Sequence, residues 1–393
     1  MAIKNLNLNI FIGHHKTGST SIQHWMAKNH NRMLNHNHLY PFCDELSLLY
    51  SKAQLNNQPK WNDFINALPT VRSISYSKNF QEPHNALAFK MLEENCDAKM
   101  PPWHQNLPDK CTDIFNLIHS QINYYAPEAV HIVSEVLSNF GGSKTNMIDC
   151  FYSEFSYCIP SLFVILRRPD EYLSSWYRQE LCFGYPMMGS INERYHNIYR
   201  ESIHFDYKKM LSGWVNKLSS EHVYIARYND IRDKGGSLSW YLNRSQYQGS
   251  QSSENNKANE WANPSLHPAF INLIRKSNTN LPLNKTLRMI SSLKSLSQHS
   301  TLPPMNEIEL YGHEFRQVLV NEFKPIDNYL GSLSGKTHFF DDLNEMAVPK
   351  TISLTEAERS TTEFLRVNLM PTLDHEQSEF LEAWIKSAQK KGP

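Results

Sequence analysis

This chain lacks the features that mark several large classes of protein. Its 393 residues carry 39 lysine and arginine residues against 39 aspartate and glutamate residues, so no net charge attracts it to nucleic acid or to an anionic membrane, although a local basic groove stays open. No apolar run approaches the roughly 20 residues that a membrane-spanning helix needs. The N-terminal apolar run is too short and too interrupted by asparagine for a signal peptide. We therefore expect a cytoplasmic protein that has no membrane span and does not bind nucleic acid.

The sequence also lacks paired cysteines. None of its six cysteines has the C-x-x-C spacing of a zinc ribbon or a redox dithiol. These residues are Cys43, Cys96, Cys111, Cys150, Cys158 and Cys182. Their spacing argues against a cysteine-bound zinc ion and favours reduced thiols.

Four short apolar runs, separated by helical patterns, indicate the fold class. Together they predict an α/β fold, a three-layer sandwich with a central parallel sheet and helices on both faces. The first run is expected to be central or next to central, and the helix after it has Ile22, Trp25 and Met26 on one face. The four predicted strands are residues 6–12, 130–133, 162–166 and 223–226.

The chain is interpreted as one domain over residues 1–393 with two additions and one polar loop. Residues 41–128 form an insertion beside the sheet, and residues 336–393 form a C-terminal helical extension. Residues 244–262 are polar and low in complexity, which is typical of a mobile surface loop. Further helices are expected at 61–68, 86–94, 113–124, 306–331 (kinked or stopped by Pro325), 355–367 and 375–389.

The most informative stretch is the loop after the first strand. It follows the frame of a phosphate-binding loop, G-x-x-x-x-G-K-[ST], from Gly13 to Thr20, but Ser19 occupies the position of the lysine. A lysine lies inside the loop instead, at Lys16. Backbone N–H groups at a helix N-terminus bind anions, and Gly18 allows close approach. Because a kinase needs its lysine on the β- and γ-phosphates, the displaced lysine indicates a phosphate ligand with different chemistry.

A second segment ends another strand with positive charge. The strand at 162–166 is followed by Arg167 and Arg168, and Pro169 then begins a helix. An arginine at this position lies at the carboxyl edge of a parallel sheet, where open α/β sheets bind ligands. Ser175, about two turns into the helix, could reach back toward the same anion. The alternative is a surface arginine pair beside the acidic start of a helix.

Together these segments resemble the sulfotransferase superfamily, enzymes that use 3′-phosphoadenosine 5′-phosphosulfate (PAPS). The first signature of that family is [PH]-K-[ST]-G-[ST]-[ST] after a strand, and residues 15–20 match it. The second is R-x-P with a serine eight residues after the arginine, matched by Arg167, Pro169 and Ser175. The motif that begins at residue 15, His-Lys-Thr-Gly-Ser-Thr-Ser-Ile-Gln, is similar to the corresponding motif in bacterial members of the carbohydrate-type branch.

The resemblance covers about residues 6–335 and has two departures. The family's Tyr-x-Asp after a strand is matched by Tyr228 to Asp230, but Asn229 replaces the usual acidic residue. The insertion at 41–128 contains no motif that matches. The resemblance implies a P-loop nucleoside triphosphate hydrolase-like sulfotransferase fold, PAPS as co-substrate and no metal. It also implies transfer of a sulfuryl group to a hydroxyl, or less readily an amine, of a glycan or glycoconjugate held by the insertion.

The family's site residues carry over by position. In this interpretation the loop holds the 5′-phosphosulfate, Arg167 and Ser175 hold the 3′-phosphate, and Tyr228 lies near the adenine. Lys16 neutralises charge on the bridging oxygen as it leaves, a role that strengthens in the transition state. The expected PAPS-binding residues are His15, Lys16, Thr17, Gly18, Ser19, Thr20, Arg167, Ser175 and Tyr228.

The catalytic base has two candidates, because the acceptor hydroxyl must lose a proton to a tuned glutamate or histidine. Glu135 follows the strand at 130–133 and lies at the carboxyl edge, where the resemblance places the base. His84, at a helix start inside the insertion, is the second candidate. Their alternatives are structural roles in capping or ion pairing. Lys257 lies in the polar loop, which is a candidate lid over the 3′-phosphate.

Two other classes of function stay open. A kinase of a small molecule or nucleotide would need ATP and Mg²⁺, but no strand that ends in an aspartate for the metal is visible, and the second segment would be unexplained. A non-catalytic nucleotide- or glycan-binding module on the same fold would bind adenosine 3′,5′-bisphosphate without turnover. The sequence does not reveal which acceptor is used, and oligomeric state is equally open.

Overall fold

The computed structural model describes residues 6–55, 77–104, 106–143, 145–186, 189–251 and 265–390. The chain divides into two compact units. The first comprises Met1–Arg167, Asp206–Trp261 and Tyr329–Phe339, and the second comprises Arg168–Phe205, Ala262–Asn328 and Phe340–Pro393. The expectation of a single domain, with additions at 41–128 and 336–393, stays a prediction.

The first unit contains a five-stranded sheet in which every pairing is parallel. Its strands are β1 Leu6–Phe11, β2 His38–Leu39, β3 Ala129–Val133, β4 Cys158–Leu166 and β5 Val223–Arg227. The order across the sheet is β2-β3-β1-β4-β5, so β1 is the central strand. The α/β class with a central parallel sheet flanked by helices is therefore confirmed, as are the four predicted strands.

The central strand is buried because of its sequence. Leu8 and Ile10 are fully buried, and Asn9 between them is also buried, as a strand covered on both faces requires. On one face, Ile22 and Met26 of the first helix share a core cluster with Phe11. The ring of Phe11 also meets Tyr241 edge-on, with 5.6 Å between centroids.

The helices surround these strands and fill the second unit. In chain order they are α1 Ser19–Lys28, α2 His30–Leu34, α3 Glu45–Leu55, α4 Lys78–Gln81, α5 Pro83–Cys96, α6 Cys111–Tyr125, α7 Asn139–Ser143, α8 Thr145–Glu154, α9 Pro169–Leu181, α10 Ile191–Arg194, α11 Tyr207–Val215, α12 Tyr228–Arg232, α13 Gly236–Arg244, α14 Ile271–Asn280, α15 Leu283–Leu296, α16 His313–Leu333, α17 Leu354–Ser360, α18 Thr362–Asn368 and α19 His375–Lys390. Residues Glu135–Ser138 form a short 3₁₀ helix after β3. The helices predicted at 86–94, 113–124 and 375–389 are confirmed.

Two helix predictions were wrong in their extent. The helix expected at 306–331 begins only at His313, because Gly312 has φ +81 and Ile308 pairs with Ile352 in a small parallel sheet of the second unit. That sheet consists of β6 Ile308–Glu309 and β7 Ile352–Ser353. The helix expected at 355–367 is divided at Thr361 into α17 and α18.

Pro325 neither stops nor delimits the helix that contains it, since α16 continues to Leu333. A proline inside a helix removes one backbone hydrogen bond and crowds the preceding turn. Buried side chains lie on both sides of it, namely Phe323 before and Leu330 after. The burial of this apolar face offsets the lost bond. The helix predicted at 61–68 and most of the polar segment 244–262, with Lys257, lie outside the described residues.

Candidate functional site

The carboxyl ends of β1 and β4 meet at one edge of the sheet. The backbone N–H groups of Ile12 and His14 donate to the carbonyls of Phe163 and Ile165, both at 3.2 Å, so pairing with β4 continues into the loop after β1. From β1 the chain proceeds to β2 on one side, and from β4 it proceeds to β5 on the other. Such a reversal leaves a crevice outside the strand ends, which is where open α/β sheets bind ligands.

Backbone conformation gives the loop between β1 and α1 its shape. Lys16 has φ +65 and Gly18 has φ +91, both in the left-handed region. The carbonyl of Gly18 accepts the first bonds of α1, from Ser21 at 3.1 Å and Ile22 at 3.4 Å. A Cβ added to Gly18 would lie 2.7 Å from Oγ of Ser237. This glycine is therefore required both by conformation and by close packing.

Two side-chain hydrogen bonds fix the middle of the loop. The hydroxyl of Thr17 donates to the carbonyl of His14 at 2.5 Å, and the hydroxyl of Ser237 donates to the carbonyl of Thr17 at 2.5 Å. The proton of the buried Thr17 hydroxyl is thus already used within the loop. Ser237 was missed by the sequence analysis, although Gly235 and Gly236 before it mark a close backbone approach.

The remaining loop residues lie at the predicted anion site. Lys16 and Thr20 are half-buried, and Ser19 is buried in the first turn of α1. Burial, and then the positive charge of Lys16, lower the pKa of His15 to about 4. His15 is therefore neutral near pH 7 and can meet an anion only by hydrogen bonding. The adjacent His14 is buried and packs edge-on against Tyr207, with 4.8 Å between ring centroids.

Arg167, the first residue after β4, combines a positive charge with an incompletely used guanidinium. Its Cζ lies 3.9 Å from the centre of the Tyr228 ring, which begins α12 directly after β5. Its carbonyl accepts a bond from the Tyr207 hydroxyl at 3.0 Å. Its Nε is buried without a hydrogen-bond partner, and the guanidinium makes no ion pair with any residue in the described part of the chain. A bound anion would accept a hydrogen bond from Nε and would balance the charge of the guanidinium.

The neighbouring Arg168 has a different role. It belongs to the second unit, is buried, and forms ion pairs there with four carboxylates, the longest to Glu171 at 3.8 Å. Nε lies 2.8 Å from Asp170, and Nη1 lies 2.9 Å from Asp342 and 3.1 Å from Glu345. These pairs satisfy its charge, so Arg168 stabilises the second unit. Of the two arginines, Arg167 is the one available to a ligand.

Two further predicted nucleotide residues are placed by their own elements. Ser175 is buried in α9 of the second unit, and its participation in one site with Arg167 stays a prediction. Tyr228 is half-buried beside Arg167. In the Tyr-x-Asp segment, Asp230 accepts from Nε of Arg227 at 2.7 Å and so serves an exposed local ion pair.

Glu135 follows β3 and lies in a polar network that includes the start of α1. Its carboxylate accepts bonds from Gln23 at 3.4 Å and Asn85 at 3.3 Å, and it is also hydrogen-bonded to Ser19 of the loop signature. Burial, and then the negative charge of Glu82, raise the pKa of Glu135. A half-buried carboxylate with raised proton affinity is suited to act as a general base.

His84 occupies a different environment from Glu135. It is fully buried, and its Nδ1 accepts the backbone N–H of Val133 at 3.1 Å. Its ring packs edge-on against Tyr40, with 4.6 Å between centroids. Burial lowers the pKa of His84 to about 3, so it is neutral at physiological pH. These contacts give His84 a structural task in holding the end of β3, and they favour Glu135 among the two candidates for the base.

The residues around Glu135 were not identified from the sequence. Gln23 lies one turn after Ser19 on α1, and Glu82 and Asn85 lie at the start of α5, about 60 residues later in the chain. The spacing of Ser19 and Gln23, and that of Glu82 and Asn85, places each pair on one face of its helix. Nothing local in the sequence indicates that α1 and α5 come together. Only the folded sheet brings these side chains together.

Comparison with known proteins adds no relative: no family model, no curated protein and no solved structure matches this chain. Within the described ranges, no group of three or more histidine, cysteine, aspartate or glutamate side chains could hold a metal ion. Nor does any described helix have the length and apolarity needed to cross a membrane. All six cysteines lie within the described residues, and none of them is in a disulfide bond.

Proposed function

We propose that this chain is a PAPS-dependent sulfotransferase with a P-loop nucleoside triphosphate hydrolase-like fold, acting in the cytoplasm on a hydroxyl, or less readily an amine, of a glycan or glycoconjugate. The observation that carries this proposal is the pairing of two cationic segments at one sheet edge. The loop with Lys16 follows β1, and Arg167 follows the adjacent β4. Two separate cationic segments fit a nucleotide with two separate phosphate groups better than one with a single phosphate chain.

The residues present fit the nucleotide. The left-handed turn at Lys16 and Gly18 directs the loop into the N-terminus of α1, where backbone N–H groups and the helix dipole attract a 5′-phosphosulfate. The buried Nε of Arg167 has no hydrogen-bond partner among the residues that the structure describes, which fits a 3′-phosphate. The ring of Tyr228, already stacked on Arg167, would lie near the adenine.

The chemistry then divides between two side chains. PAPS supplies an activated sulfuryl group. Glu135 would take the proton of the acceptor hydroxyl as that oxygen bonds to sulfur, because its raised pKa makes it a stronger base than an ordinary glutamate. Lys16 would neutralise the negative charge that collects on the departing phosphate oxygen. After the transfer, Glu135 releases the proton to water and is again a carboxylate.

The first experiment separates this proposal from the kinase alternative by binding. Calorimetric titration with adenosine 3′,5′-bisphosphate is compared with ATP plus Mg²⁺. We expect saturable binding of the bisphosphate and an increase in unfolding free energy of about 2.7 kcal/mol at 100-fold excess over Kd. Binding of ATP with Mg²⁺ alone would favour the kinase and overturn the proposal.

The second experiment tests turnover and the acceptor. Transfer of ³⁵S-labelled sulfate from PAPS is measured on a panel of cell-envelope glycans with free hydroxyl groups. We expect incorporation into at least one glycan that is lost in the Glu135→Gln variant. Tight bisphosphate binding without incorporation into any acceptor would indicate the non-catalytic binding module instead.

A further inference from the structure

Three donors from two helices hold the carboxylate of Glu135. Ser19 and Gln23 come from consecutive turns of α1, and Asn85 comes from the first turn of α5. Gln23 Nε2 lies 3.4 Å from Oε2, and Asn85 Nδ2 lies 3.3 Å from Oε1. Gln23 Nε2 lies closer to Asn85 Oδ1, at 2.9 Å, and to the Val133 carbonyl, at 3.0 Å, than to Glu135. Because its two hydrogens have these nearer acceptors, the bonds from Asn85 and Ser19 are the ones that chiefly restrict rotation of the carboxylate.

Asn85 is the centre of this network. Its Nδ2 donates to Glu82 at 3.1 Å as well as to Glu135 at 3.3 Å. Its Oδ1 accepts from the Ser134 hydroxyl at 2.6 Å and from Gln23 Nε2 at 2.9 Å. An amide has two donor hydrogens and two acceptor lone pairs, so all four positions are used. Asn85 is buried, and this set of bonds fixes the orientation of its side chain.

The two carboxylates that Asn85 connects have opposite properties. Burial raises the pKa of Glu82, but hydrogen bonding to His24 and the charge and hydrogen bond of Lys78 outweigh this and lower the pKa to about 2. Glu82 therefore remains negative throughout the physiological range. That negative charge in turn raises the pKa of Glu135. Environments that separate two carboxylate pKa values in this way are typical of acid–base sites.

The charged and titratable groups that face Glu135 can be named among the described residues. Among these groups, the charge of Glu82 has the largest effect on the pKa of Glu135, and the Ser19 hydroxyl donates a hydrogen bond to the Glu135 carboxylate. The phenol of Tyr40, after β2, experiences the charge of Glu135. His24 of α1 and Lys78 of α4 act through their pairs with Glu82, at 3.4 Å and 2.5 Å.

We propose that Asn85 is a positioning residue, which together with Gln23 holds the Glu135 carboxylate in one orientation for proton abstraction and links it to the carboxylate of Glu82. This inference rests on the proposed function for its catalytic consequence. The geometry also has a consequence that needs no turnover. Donors to the charged form of a carboxylate lower its pKa, so removal of the Asn85 donor raises the pKa of Glu135 further.

The decisive variant is Asn85→Asp, which keeps the shape of the side chain but removes the donor and adds a like charge. Asn85→Ala provides a second test, and Asn95→Ala, an exposed asparagine on the same helix, is the matched control. In the transfer assay we expect kcat to fall about 100-fold in both Asn85 variants, with KM for PAPS unchanged. The acid limb of kcat/KM moves to higher pH by about one unit, and further for Asn85→Asp. The control keeps the wild-type profile.

A second readout does not depend on turnover. The protein is labelled with ¹³C at the glutamate δ-carbon, the Glu135 signal is assigned by its loss in Glu135→Gln, and its titration is followed by NMR. A higher midpoint in Asn85→Asp than in wild type supports the inference. An unchanged midpoint, or an active enzyme whose kcat and pH profile survive both substitutions, overturns it. A wild-type protein without transfer activity would overturn the proposed function and the catalytic role of Asn85. In that case the NMR titration would still support or overturn the positioning of the Glu135 carboxylate by Asn85.

Discussion

The guanidinium carbon of Arg167 lies 3.9 Å above the centre of the Tyr228 ring. Each residue is the first after its strand, Arg167 after β4 and Tyr228 after β5, and Leu166 pairs with Arg227 at the end of the parallel register. The pair is therefore a direct product of the sheet. A cation held over an aromatic face is pre-organised, which lowers the entropy lost when it binds an anion.

Replacing Arg167 by alanine is expected to weaken nucleotide binding more than it slows the chemical step. A charge-assisted hydrogen bond to phosphate is worth about 1.5–3 kcal/mol, so Kd for adenosine 3′,5′-bisphosphate should rise at least 10-fold. Calorimetric titration measures this change. Arg232→Ala removes an exposed arginine that pairs with Asp233 and serves as the control. An equal loss of affinity in both variants would show that binding depends on the net positive charge of the protein and not on a contact made by Arg167.

Replacing Lys16 by alanine is expected to abolish transfer while leaving much of the bisphosphate affinity. The lysine charge is needed most when negative charge collects on the leaving oxygen, and loss of such a group lowers kcat by about 10²–10³-fold. Single-turnover transfer from labelled PAPS measures the chemical step separately from product release. Activity close to wild type in Lys16→Ala would contradict the assigned mechanism.

Gly18→Ala is expected to destabilise the protein through two separable effects. Backbone strain at φ +91 costs about 1–2 kcal/mol, and contact of the new Cβ with Ser237 adds about 1–3 kcal/mol. Gly312→Ala is the matched control, since Gly312 has φ +81 but no atom within 4 Å of its added Cβ. Urea denaturation should show the larger loss at Gly18. Equal losses at both positions would mean that the packing against Ser237 contributes nothing.

The stability of the protein should decrease in mild acid because of His84. Burial lowers the pKa of His84 to about 3, whereas the pKa in the unfolded chain is near 6.5. The folded state keeps the ring neutral, so its contribution is fully present above about pH 6.5 and is lost as pH falls toward about 3. The unfolding free energy should fall by up to about 1.4 kcal/mol per pH unit from this residue.

Measurement of unfolding free energy at several pH values tests the role of His84. His84→Gln keeps a polar group that can accept the N–H of Val133 but cannot be protonated in this range. The number of protons taken up on unfolding near pH 5 should therefore fall by about one. His375→Gln, at an exposed histidine in α19, is the control substitution. Equal proton uptake in wild type and His84→Gln would show that His84 is already protonated in the fold.

Much of the sheet was predictable because its signals are local. The apolar runs at 130–133 and 162–166 have the length and composition of buried strands, and both form strands. The loop from Gly13 to Thr20 and the arginine after β4 were identified by their positions relative to those strands. The start predicted for the helix at 306–331 was wrong. Ile308 pairs with a strand about 40 residues later in the chain, and a helical pattern of apolar residues does not reveal such a pairing.

The sequence by itself determined which residues end the strands, and therefore which side chains reach the carboxyl edge of the sheet. The R-x-P spacing singles out Arg167 only by resemblance. The tertiary structure supplies the physical reason, since Asp342 and Glu345, from a distant segment, join the adjacent Asp170 in pairing with Arg168. Likewise, only the tertiary structure joins Asn85 to Glu135, across 50 residues of chain. Strand ends are set by local backbone preference and burial, whereas the pairing and pKa of a polar group depend on neighbours that folding brings close.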